Sequence, residues 1–258
     1  MSRKTLSASD FTNSLAKNSS VNKITFKKRE FSFTSKQQDI ITALLDDKNK
    51  VVIIDGPAGS SKSYTAIYAA LRAYQEQDFD EILYLRTAVE SASHSMGYLK
   101  GDLDDKFSVY RAVLDEKIGE LVTEGSKSGL PLNAAPINYI RGASWRNKFV
   151  ILDESQNITI DEAKTLMTRI GEGTRLVICG DSQQKDIKNS GSSLIKEIFD
   201  NPESEEAGIK FFQLTSKDIV RSEIVKFIVE KFENHYKEKS KKPIFHQQKI
   251  SEEWSPSK

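Results

Sequence analysis

Two pairs of residues in this chain have the types and surroundings that phosphate chemistry needs: Lys62-Ser63 and Asp153-Glu154. The first pair follows a short apolar run, Val51–Ile54, and a turn made of Gly56, Pro57, Ala58, Gly59, Ser60 and Ser61. Such an order brings backbone N–H groups and the positive end of a helix dipole to one point, where an anion is held. A lysine there reaches the outer phosphates, and the hydroxyl of Ser63 suits Mg²⁺. The glycines allow the backbone to wrap closely round a phosphate. Ser61 stands where the spacing G-x-x-x-x-G-K-[ST] has its second glycine. In the second pair, Asp153 suits Mg²⁺ held through its water shell, and Glu154 suits a general base acting on water. Each pair also has a plainer reading. The first is an ordinary strand–turn–helix junction, and the second a pair of acids favoured by a helix dipole.

The elements that must position these residues alternate along the chain. Strand character appears at 51–54, 82–85, 137–140, 149–152, 176–179 and 209–214. Helical apolar spacing appears at Phe107, Tyr110, Leu114, Ile118 and Leu121, and again at Ala163, Leu166, Met167 and Ile170. Thr159 with Glu162 predicts a capping box at the start of the second of these helices. Strand runs that are apolar on both faces and separated by helices predict an α/β fold, a mostly parallel sheet with helices on both faces. In such sheets ligands bind beyond the carboxyl ends of the strands. Those ends lead to Gly56, Arg86, Arg141, Asp153-Glu154, Gly180-Asp181 and Thr215-Ser216, with Gln184 and Arg221 close behind the last two. Gln184 suits a γ-phosphate sensor or a solvated loop amide. Arg221 suits charge stabilisation on a transferring phosphoryl group, from its own chain or a neighbouring subunit, or a plain surface role.

Composition narrows the classes. The chain has 258 residues and a net charge of +1, so any nucleic-acid binding needs a local basic patch. Lys23, Lys27, Lys28 and Arg29, interleaved with Phe26 and Phe31, form one such stretch, with a solvated arm as its alternative. The single Cys179 excludes an internal disulfide and suggests a reducing compartment, and no apolar run approaches the ~20 residues of a membrane span. The expected location is the cytoplasm, with no membrane partner. Residues 1–30 read as a flexible or loosely docked arm, 31–234 as the folded domain and 235–258 as a polar tail. His94, His235 and His246 lack metal-ligand spacing, and Trp145 is expected to pack near the strand that follows it.

Eight segments in order then identify a resemblance: GPAGSSKS at 56–63, LRTAVES at 85–91, GYLKGDL at 97–103, IRGAS at 140–144, VILDESQN at 150–157, TRIGEGT at 168–174, CGDSQQKD at 179–186 and TSKDIVRS at 215–222. Over about 31–233 the chain resembles the PhoH family of P-loop ATPases, related to the core of superfamily 1 helicases. The resemblance implies a single RecA-like P-loop NTPase domain, ATP and Mg²⁺ as cofactors, and RNA or single-stranded DNA as a second ligand. It also implies that Gln37 reads adenine, that Asp181 and Gln184 sense the nucleotide, and that Arg221 contacts the terminal phosphate. The chain departs from the family pattern at Ser61, Ser63, Thr87, Ala143 and Ser155. Ser63 keeps the Mg²⁺ hydroxyl, whereas Ala143 removes the second basic residue beside Arg141. With room for one such domain, the expected active site is completed between subunits of a homo-oligomeric ring, a hexamer being one size. A small-molecule kinase, a nucleotide-binding switch or structural subunit with little hydrolysis, and a metal-dependent nuclease stand as alternatives.

Overall fold

The computed structural model describes residues 23–27, 33–77, 79–87, 103–137, 144–182, 190–220 and 223–241, with the backbone alone at 103–107 and 233–241. The chain divides into two units, residues 1–220 and 221–258. The first contains one sheet of six strands: β1 (Val51–Asp55), β2 (Glu81–Arg86), β3 (Leu132–Pro136), β4 (Lys148–Asp153), β5 (Arg175–Gly180) and β6 (Ile209–Gln213). Their order across the sheet is β3-β2-β4-β5-β1-β6, and every pairing is parallel. All six carboxyl ends therefore lie at one edge.

Helices cover both faces, as expected. Val52, Ile54, Tyr84, Ile151, Val177 and Cys179 point to one side, where α1 (Ser35–Leu45), α2 (Lys62–Glu76) and α3 (Leu103–Leu121) pack. Val51, Ile53, Val150, Leu152, Leu176 and Ile178 point to the other, against α4 (Ile160–Met167) and α5 (Gly191–Phe199). Alternate residues of each strand feed opposite cores, which is why these runs read as apolar throughout. Trp145 belongs to the second core, 2% exposed. The helix α4 begins with the expected capping box between Thr159 and Glu162 and ends at Met167; Ile170 lies beyond it, bridged to Trp145. A short helix, α6 (Pro202–Glu206), precedes β6.

One strand lies elsewhere than the sequence pattern placed it. Strand β3 is Leu132–Pro136, whereas the apolar run began at Ile137, and residues 138–140 lie outside the described residues. The sequence Leu-Asn-Ala-Ala-Pro carries little strand propensity, but an edge strand tolerates a terminal proline. Leu132 is buried, and its carbonyl accepts a hydrogen bond from Arg111 of α3. Packing against α3 and β2 overrides the local preference.

The second unit's described part is α7 (Glu223–Lys241). No helix among the described residues is long and apolar enough to cross a membrane.

Candidate nucleotide site

The turn after β1 is shaped by close approaches. A Cβ on Gly56 would sit 2.6 Å from Leu214 Cβ, so the chain passes β6 only as glycine. Gly59 and Ser61 both take positive φ, 83° and 62°. Ser61 is thus held in the left-handed region that glycine occupies without cost, and it stands at the N-cap position of α2 with no side-chain hydrogen bond to the helix. The ammonium of Lys62, the first residue of α2, donates to the carbonyls of Gly56 (2.8 Å) and Pro57 (3.0 Å). It lies over the loop, and a phosphate must take it from those two oxygens. Two loop amides are already engaged: Gly56 N–H donates to Gly180 O and Ser60 N–H to Pro57 O. The amides of Lys62 and Ser63 stand at a helix start, where no intrahelical acceptor exists.

Ser63 in the first turn of α2 reaches the end of β4: its Oγ donates to Asp153 Oδ1 at 2.5 Å. Asp153 is 4% exposed, and its Oδ2 accepts the hydroxyl of Tyr84 from β2 at 2.5 Å. Burial, then the charge of Asp153, push the Tyr84 phenol well above its usual range, so it stays a donor. Lys117 of α3 brings its Nζ to 3.9 Å from the same oxygen. Glu154 follows in the left-handed region (φ 57°), and its N–H donates to Asp153 Oδ1 at 3.0 Å. This turn sends the two adjacent carboxylates in different directions. Glu154 Oε1 lies 3.4 Å from Arg86 Nη2, and Oε2 accepts from Gln156 Nε2 at 2.6 Å. Thr87 Oγ1 donates to the Glu154 carbonyl at 2.7 Å.

The neighbouring strand ends are tied to this centre. Gln156 Oε1 accepts the Asp181 N–H at 3.3 Å, which links the turn after β4 to that after β5. A Cβ on Gly180 would lie 2.3 Å from Ser155 Oγ, so these two turns also meet at a glycine. Asp55, last residue of β1, accepts both the N–H and the hydroxyl of Ser182 at 2.7 Å. Asp181 is buried at 6% exposure.

Gln37 does not lie open to a ligand. It is 0% exposed: its Nε2 donates to Ser60 O (3.1 Å) and Asp218 O (3.2 Å), and its Oε1 accepts Thr34 N–H (3.1 Å). Its carboxamide ties the α1 cap to the phosphate loop and to the turn after β6. Arg141, Gln184 and Arg221 lie outside the described residues. In the basic-aromatic stretch, Phe26 is not free to stack on a base; its ring lies 4.8 Å from that of Tyr68, and it is bridged to Val122. Ile24 is buried at 3% exposure, and Thr25 N–H donates to Ser126 Oγ at 2.9 Å. Residues 23–27 of the expected arm are thus docked, because Ile24 and Phe26 complete the core beside α3. Phe31, Lys28 and Arg29 lie outside the described residues.

Sequence reasoning missed Tyr84, Lys117, Asp55 and Gln156 as parts of this centre. The first two carry no motif; strand pairing and helix packing alone bring them to Asp153. Asp55 stands between the apolar run Val51–Ile54 and Gly56, and its position at a strand end was the available signal.

The donor set fits a magnesium nucleotide. A hydroxyl and a buried carboxylate oxygen 2.5 Å apart offer hard oxygen ligands, beside a lysine and a helix start suited to phosphate. Among solved structures, the HK97 bacteriophage large terminase is similar with a TM-score of 0.48 and 13% identity, covering 83% of this chain and 49% of that one. The UvsW helicase from bacteriophage T4 is similar with a TM-score of 0.42 and 11% identity, covering 82% and 69%. Among curated relatives, a PhoH-like protein of Synechocystis sp. is 34% identical over 212 residues, 78% of this chain and 61% of that protein. A PhoH-like protein of Bacillus subtilis is 31% identical over 225 residues, 84% and 66%. The chain spans less than two thirds of the length of either relative. A family model described as PhoH-like protein matches residues 31–233, a range that contains every strand of the sheet and the turns after β1 and β4. The chain therefore belongs to the PhoH-like protein family.

Proposed function

We propose that this protein binds ATP with Mg²⁺ and hydrolyses it, and that it couples hydrolysis to RNA or single-stranded DNA. The observation that carries the hydrolytic reading is the 2.5 Å approach of Ser63 Oγ to Asp153 Oδ1, with Glu154 turned away beside it. Ser63 and Asp153 would hold the metal, which supplies charge neutralisation on the phosphates and a template for in-line attack. Lys62 exchanges the carbonyls of Gly56 and Pro57 for the outer phosphates and screens the charge that develops there. Glu154 takes a proton from the attacking water. Gln156 and Arg86 hold its two oxygens, which keeps the carboxylate oriented. Arg221 and Gln184 are assigned to the terminal phosphate, and Asp181 to sensing it. Arg221 acts in a neighbouring subunit of a ring. The family's relation to helicase cores supports the nucleic-acid partner.

Steady-state hydrolysis with Mg²⁺, with and without each polynucleotide, tests this. Wild-type turnover that rises with one polynucleotide is expected. Glu154→Gln should lower kcat by about 10²–10⁴-fold while nucleotide still binds. Lys62→Ala should lose binding. Tight nucleotide binding with no wild-type turnover would instead make the protein a switch. Arg221→Ala mixed with Glu154→Gln should regain part of the activity if the arginine acts between subunits, and no regain at any ratio would count against it.

A further inference from the structure

Asp153 has a second oxygen that the hydrolytic scheme leaves without a task. Oδ1 faces the phosphate loop, where it accepts from Ser63 Oγ (2.5 Å) and Glu154 N–H (3.0 Å). Oδ2 faces the sheet and α3, where it accepts the Tyr84 hydroxyl (2.5 Å) and has Lys117 Nζ at 3.9 Å. Tyr84 is wholly buried in β2, in register with Ile151 of the neighbouring β4, so its ring has no other place to go. The side chain of Lys117 is 29% exposed, so it has a route to solvent.

We propose that Tyr84 is the positioning residue of the metal site and that Lys117 is the counter-ion a divalent metal displaces from Asp153. The proposal rests on the magnesium-nucleotide reading of Ser63 and Asp153. The terminal torsion of an aspartate is broad, so nothing intrinsic fixes the plane of its carboxylate. A buried hydroxyl donating to one oxygen, Oδ2, fixes that plane and keeps the other, Oδ1, aimed at the place beside Ser63. Groups that orient a metal ligand in this way commonly change metal affinity 10–100-fold when removed. Lys117 has the opposite effect. Without metal, it offsets a buried negative charge that would otherwise be costly. With metal, two positive charges face one carboxylate, and the lysine is the one that can leave. Occupancy of the metal site is thereby linked to α3, the helix that also braces β3 through Arg111.

The two residues should therefore shift metal affinity in opposite directions. The probe is Mn²⁺, followed by electron paramagnetic resonance in the presence of a non-hydrolysable ATP analogue. Tyr84→Phe keeps the ring and removes only the hydroxyl. It should weaken Mn²⁺ by about tenfold, while affinity for the metal-free analogue in EDTA stays within about twofold. Lys117→Met should tighten Mn²⁺ by up to about fivefold, the range of a partly exposed charge contact. Unchanged Mn²⁺ affinity in Tyr84→Phe, or weaker affinity in Lys117→Met, overturns the proposal even if Asp153→Asn abolishes the signal. No Mn²⁺ signal from the wild type with the analogue overturns the magnesium-nucleotide reading itself, and the proposal with it. Melting curves of both variants verify that the fold is retained.

Discussion

Ser61, just ahead of Lys62 and Ser63, and Glu154, just after Asp153, both adopt positive φ without being glycine, at 62° and 57°. A side chain in the left-handed region costs roughly 1–2 kcal/mol, which must be offset by the surrounding structure. For Glu154 the return is chemical: the turn separates its carboxylate from that of Asp153. Ser61 has no comparable gain, since its side chain caps nothing. Ser61→Gly should therefore raise the unfolding free energy by about 0.5–1 kcal/mol, because glycine adopts this conformation freely but is also more disordered when unfolded. A higher urea midpoint at unchanged slope is the expected result, and a lower midpoint would show that the serine is accommodated without strain. At this scale the sequence was informative where residue type and backbone demand coincide. The positions of Gly56, Lys62 and Ser63 after β1 and of Asp153 at the end of β4 could be read from spacing because only a few residue types fit such turns. Tyr84 and Lys117 could not, because what makes them important is distance across strands, which spacing does not encode.

Among the elements, β5 lies between the two strands that deliver the site, and its first residue fixes the sheet from the opposite edge. Arg175 is 3% exposed; its guanidinium donates to the carbonyls of Leu44 and Asn49, to Gln77 Oε1 and to Asp47 Oδ1, and lies over the Phe79 ring. It closes the ends of α1 and α2 against the sheet. Arg175→Ala leaves the carbonyls of Leu44 and Asn49 without this donor in a buried place, Asp47 being exposed, and should cost about 1–3 kcal/mol for each, measured as a loss in thermal or urea stability. Turnover per folded molecule should be little changed, since the residue is at the far end of β5 from Gly180. The alternation of apolar strands with helices revealed this architecture before any coordinates. Strand β3 escaped because Asn133, Ala134, Ala135 and Pro136 carry no such pattern, and its place depends on α3 and β2. Likewise the docking of residues 23–27 depends on two apolar side chains, too few to form a period.

For the whole molecule, Cys179 offers a direct readout of opening. It is buried near the carboxyl end of β5, and burial, then the charge of Asp153, hold its thiol well above the usual range. Raising the pH toward 9 therefore creates no thiolate in the folded protein. Reaction with a disulfide reagent should follow the rate of unfolding and slow when magnesium nucleotide is bound; rapid labelling of the native protein would refute the burial. Gln37 carries a different consequence at this scale. Its amide already joins Thr34, the phosphate loop at Ser60 and the turn at Asp218, which lies just before the boundary between the chain's two units. One carboxamide cannot keep those partners and also face a nucleobase. On the proposed reading as a nucleotide site, any choice of base must then be drawn from the order of three separate segments, so that choice and the tautness of the loop become two readings of the same equilibrium.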